Sequence, residues 1–64
     1  MDAELSRRVA QIMNTQVVLE LSVSKRKAFI SEVEKADTFN SLSTDYQKLI
    51  KTGEIQLNSF EAKS

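Results

Sequence analysis

The stretch Thr15-Gln16-Val17-Val18-Leu19-Glu20-Leu21-Ser22-Val23 is the most hydrophobic window of the chain, and it fits two periodicities at once. Val17, Leu19, Leu21 and Val23 alternate with Val18, Glu20 and Ser22, which is the period of a strand. The β-branched content points the same way. Ile12, Leu19 and Val23 also prolong a helical stripe that begins further upstream. Extending an existing helix adds a hydrogen bond per residue without a second nucleation cost. A lone strand needs a pairing partner, and elsewhere only Glu54-Ile55-Gln56-Leu57 alternates. The reading adopted is therefore helix across 15–23, continuous with the first segment, with Leu19 in the most buried place. Val17, Val18 and Val23 oppose it through helix propensity, by roughly a few tenths of a kcal/mol each.

Upstream, Asp2 is placed to cap a helix running to about Asn14, with Glu4 where the helix dipole favours negative charge. Leu5, Val9, Ile12 and Met13 form its apolar stripe, and Arg7, Arg8 and Gln11 lie off it. Downstream, Ser22 or Ser24 caps a second helix over 25–36 whose stripe is Phe29, Ile30, Val33 and Ala36. Residues 37–43 are a polar connection in which Phe39 and Leu42 act as plugs. Thr44-Asp45-Tyr46-Gln47 has the layout of a capping box for a third helix over 44–52, with Tyr46, Leu49 and Ile50 buried. Gly53, the only glycine, is expected to end that helix in the left-handed conformation. Glu54–Leu57 then reads as a short extended segment from which Ile55, Leu57 and Phe60 dock, and 61–64 as a frayed tail. The expected fold is all-α: a single domain over 1–60, with a long N-terminal helix packed against a two-helix hairpin.

A chain of 64 residues buries only about 60% of the surface it exposes when unfolded. A core of that size yields roughly 3–5 kcal/mol unless something staples it. With no Cys and no His, disulfides and structural zinc are excluded as staples. Self-association or a protein partner remains, and window 15–23, apolar on nearly every side if helical, points the same way. The absence of Pro and the single Gly favour helices with few tight turns. No apolar run approaches the roughly 20 residues that span a bilayer, and the acidic start Met1-Asp2-Ala3-Glu4 lacks the layout of a secretion signal. A cytoplasmic location is the expectation.

Catalytic chemistry finds little to work with. Without His or Cys, the nearest acidic pairs are Glu32 with Glu34, which point apart on a helix, and Glu34 with Asp37, which share a solvated face. No enzyme activity, cofactor or metal is expected. Nine basic residues balance nine acidic ones, and the one basic run, Lys25-Arg26-Lys27, makes few phosphate contacts. Nucleic acid is accordingly not the expected partner.

One outline points elsewhere. A strand at 16–23 followed by helices at 25–36 and 44–52 resembles the ribbon-helix-helix family of DNA-binding domains, over Gln16 to about Gly53, through the spacing of elements alone. The resemblance implies a dimer that pairs its strands and turns Gln16, Val18 and Glu20 into the major groove. The chain departs from the family in lacking Arg, Lys or Asn in that set, and in its long connection 37–43 and additional first helix. The expectation that follows is a non-enzymatic protein–protein interaction module of adaptor, regulator or inhibitor type, either a homodimer or bound to a larger partner. Its expected interface residues are Val17, Val18, Leu21, Ile55 and Leu57. A dimeric DNA-binding regulator is the alternative.

Overall fold

The computed structural model describes the backbone of residues 1–63 and the side chains of residues 1–59. The described residues are helical, with no strand: α1 (Ala3–Ile12), α2 (Gln16–Leu19), α3 (Val23–Lys35), a 3-10 turn at Phe39–Ser41, and α4 (Thr44–Lys63). The expected docking of Phe60 and the expected frayed tail at 61–64 lie outside the described side chains.

The long N-terminal helix does not form. α1 stops at Ile12, because Thr15 adopts an extended backbone (φ −77°, ψ 156°) and turns inward. Its backbone N–H donates to the Ile12 carbonyl at 2.9 Å, and its hydroxyl donates to the same oxygen at 2.6 Å. One residue thus satisfies a carbonyl that a continuing helix would have served. The Thr15 carbonyl in turn accepts from the N–H groups of Val18 and Leu19 and starts α2. A short hydroxyl side chain competing with the helical ladder outweighs the cooperative advantage of extension. The break also shifts the register. Leu5, Ile12 and Leu19 are spaced by seven, so one continuous helix would have buried all three; instead Leu5, Ile12 and Val18 are fully buried and Leu19 is 52% exposed. The ribbon that the DNA-binding resemblance requires is absent from these residues, since Gln16–Leu19 is a helical turn.

Asp2 caps α1 as expected, its carboxylate accepting from Leu5 N–H at 2.8 Å. Ser22 caps α3, accepting from Lys25 N–H at 3.2 Å. α3 buries Phe29 and Val33, with Ala36 closing its C-terminal end. Leu42 is buried and Phe39 half-buried, so both plug the connection. The capping box at Thr44 is displaced. Ser43 precedes the first turn of α4, its carbonyl accepting from Gln47 N–H, and the Gln47 side chain reaches the Leu42 carbonyl at 2.9 Å instead of a backbone N–H.

α4 runs straight through Gly53, which has no positive φ, and Glu54–Leu57 is helical where an extended segment was expected. Gly53 is a packing device here. A Cβ built on it would lie 2.9 Å from Ile12 Cβ and 3.3 Å from Thr15 Oγ1. The missing side chain lets the end of α1 sit directly on α4, and the broadest helix–helix contacts are those of α1 and α2 with α4. The twenty-residue α4 is therefore the spine on which the N-terminal half rests.

Candidate interaction surface

The turn from α2 to α3 carries the most conspicuous apolar surface. Leu19 ends α2 and Val23 begins α3, and they are 52% and 66% exposed. Val18, the residue immediately before Leu19, faces inward and anchors the turn in the core. Arg26 fixes it from the other side: one guanidinium nitrogen donates to the Leu19 carbonyl at 3.3 Å and lies 3.5 Å from that of Leu21. A cation at the C-terminal end of a short helix is favoured by the exposed carbonyls there. The elbow is thus a pinned apolar knob, with Leu21 half-buried behind it.

A groove of about 390 Å³ lies between α3 and α4, walled by Leu21 and Ala28 on one side and by Tyr46 and Leu49 on the other. Lys25 stands on the α3 lip and Asp45 on the α4 lip. The Tyr46 ring also leans on Phe29, with centroids 5.5 Å apart. A second groove, also about 390 Å³, lies where α1 meets α2, between Gln11, Asn14 and Gln16 on one side and Gln56 and Leu57 on the other.

The surface around Arg8 is polar, and a groove of about 370 Å³ opens there, lined by Asp2, Glu4, Arg8, Thr38 and Phe39 among others. Arg8 grips Glu54 with two nitrogens, at 3.0 and 2.7 Å, and its guanidinium lies 4.2 Å from the centre of the Phe39 ring. The hydrogen bonds that Arg8 donates to Glu54 are the main reason that the guanidinium holds its proton more tightly than a free arginine; partial burial opposes the shift, and the negative charges of Glu54 and Glu4 add to it. This pair is the one ion pair among the described residues.

The five expected interface residues are not gathered on one face. Val18 is fully buried and belongs to the core. Val17 is half-buried, its N–H donating to the Gln56 side chain at 3.1 Å. Leu57 lines the groove near it, whereas Leu21, in the turn before α3, lines the groove between α3 and α4. Ile55 is 65% exposed. Leu19 and Val23, exposed like Ile55, lie on a stripe that an unbroken helix would bury. The signal for the break was Thr15 itself, a hydroxyl residue following Asn14. The basic run is also divided, since Arg26 is committed to the elbow while Lys25 and Lys27 are exposed. Arg8 is likewise committed to Glu54, so only part of the basic complement is free for phosphates.

Among the described residues no helix is long and apolar enough to cross a membrane, and no three acidic side chains converge as a metal site would require. Comparison with protein-family models, with curated proteins and with solved structures finds no match.

Proposed function

We propose that this chain is a small non-enzymatic protein-interaction module of adaptor, regulator or inhibitor type, working in the cytoplasm, and that it engages a larger protein through the α2–α3 elbow. The observation that carries this reading is the exposure of Leu19 and Val23 on a turn pinned by a buried Val18 and by Arg26. Single exposed apolar residues are ordinary on protein surfaces. Two that flank one immobilised turn offer a partner apolar area whose ordering cost has already been met within the fold. Nucleic-acid binding is disfavoured by the balanced charge and by the commitment of Arg8 and Arg26 to internal contacts.

The test compares capture from the native host by the tagged chain and by a Leu19→Ser/Val23→Ser variant, after far-UV circular dichroism has established equal helicity. A protein retained by the parent chain and lost by the variant is the expected result. Identical capture by both, or salt-sensitive retention on DNA by the parent chain, overturns the reading.

A further inference from the structure

We infer that α1 is exchangeable between two copies of this chain. Thr15 is the hinge: when it straightens, α1 and α2 join as one helix, α1 lies on the α4 of a second copy, and the partner's α1 takes the vacated place. The inference concerns how the chain meets itself and does not rest on the elbow reading.

The contacts that hold α1 can all form between two copies as well as within one. Leu5 and Ile12 are fully buried, and Ile12 sits over Gly53 of α4. Arg8 grips Glu54, and the Asp2 N–H donates to the Asp37 carbonyl at 2.9 Å. Asp37, Gly53 and Glu54 follow the hinge in the chain, so α1 is joined to them covalently only through residues 13–15. Exchange keeps what α1 buries and makes that contact twice per dimer. The dimer therefore needs no apolar area beyond what the single chain already covers.

The hinge is one torsion away from a helix. Met13 has helical angles (φ −61°, ψ −24°), and Thr15 has a near-helical φ of −77° and departs through its ψ of 156°. In the bent chain the Thr15 hydroxyl and N–H both serve the Ile12 carbonyl. In the straight form the Gln16 N–H takes that carbonyl as the next rung of the ladder. Straightening also regains the register that the break gives up. Leu5, Ile12 and Leu19 then share one stripe, so Leu19, exposed in the bent chain, turns to the side that receives Leu5 and Ile12. In the exchanged dimer that side belongs to the second copy. A hinge this short favours exchange, because a longer one lets α1 fold back on its own chain without cost to the joined helix.

Arg8→Glu and Glu54→Arg together make a test that only exchange passes. In either variant alone, every α1–α4 contact sets like charges together, whether in a monomer or in a dimer. In a mixed exchanged dimer the substituted α1 lies on the substituted α4, and the unaltered α1 on the unaltered α4, so both contacts join opposite charges. The two variants are unfolded together in urea, refolded at high concentration and counted by native mass spectrometry. Mixed dimers should far exceed the half share that random pairing gives, and the mixture should associate about tenfold more tightly than either variant alone. Random pairing, or no dimer in the mixture, overturns the proposal. Should either variant lose its helicity alone, mixing should restore it, and failure to do so refutes exchange equally. Thr15→Ala removes the hydroxyl that holds the bend and supplies the best helix former. Sedimentation equilibrium from the micromolar to the millimolar range should show it dimerising about tenfold more tightly than the parent. Inserting Gly-Gly after Asn14 in that variant should abolish the gain. A Thr15→Ala chain no more dimeric than the parent, or one whose dimer survives the insertion, shows that Thr15 is not the hinge.

Discussion

Replacing Gly53 by Ala asks whether this glycine is a helix defect or a helix contact. Gly53 sits inside α4, so local propensity alone makes Gly53→Ala stabilising by about 1 kcal/mol. The packing predicts the opposite sign. The added Cβ would fall 2.9 Å from Ile12 Cβ and 3.0 Å from Ile12 Cγ2, closer than carbon atoms tolerate, and 3.3 Å from Thr15 Oγ1. The first of these atoms is attached directly to the backbone, so no rotamer change at Ile12 relieves the contact. Ile12 is fully buried, and the end of α1 must lift away from α4 by several tenths of an ångström. Overpacking of this kind costs about 1–3 kcal/mol. Set against the propensity gain, the net effect is a loss of about 1 kcal/mol, which for a domain this small lowers the Tm by roughly 4–8 °C. Thermal and urea unfolding followed at 222 nm measure it, with Gly53→Val expected to be clearly worse. A Gly53→Ala protein that melts higher than the parent would show that α1 does not rest on this glycine, and the packing of the N-terminal half would have to be redrawn.

Three further expectations follow from the same contacts. Val18→Lys should unfold the domain, because burying an uncompensated ammonium costs several kcal/mol or more, whereas Leu19→Lys should change stability by less than about 0.5 kcal/mol; circular dichroism showing the reverse order would restore the unbroken helix through Thr15. A double-mutant cycle on Arg8 and Glu54 should give a coupling of about 1 kcal/mol, and Arg8→Lys should forfeit most of it, since an ammonium cannot make the two-nitrogen grip or stack on Phe39 in the same way. Because the Arg8 shift is upward, its contribution is complete below the unfolded value and is lost only as pH rises through the folded one; denaturation midpoints for the pair should therefore stay level to about pH 10 and fall only in strong alkali. Phe29→Ala removes a fully buried ring and its contact with Tyr46, costing about 3–5 kcal/mol, as much as a core of this size supplies, so the variant should lack a cooperative melting transition.

Much of this protein is written locally. The all-helical class follows from the absence of Pro and the scarcity of Gly. The caps at Asp2 and Ser22 lie where side-chain chemistry places them, and the buried faces of α1 and α3 follow the 3.6-residue period. These features depend on residues within one or two turns of each other, so a sequence reading reaches them. Three features do not. Thr15 breaks the first helix because its hydroxyl finds the Ile12 carbonyl in a site closed over by α4, a competition that periodicity does not register. The break moves the buried position from Leu19 to Val18 and thereby brings Leu19 and Val23 to the surface. Gly53, whose composition suggests a helix end, is instead the seat of a contact some forty residues away in sequence. A helix tolerates glycine at about 1 kcal/mol when the close approach of two helices offsets that cost. Whether this glycine ends a helix or seats one is fixed by the partner that meets it, and that partner is known only once the chain has folded.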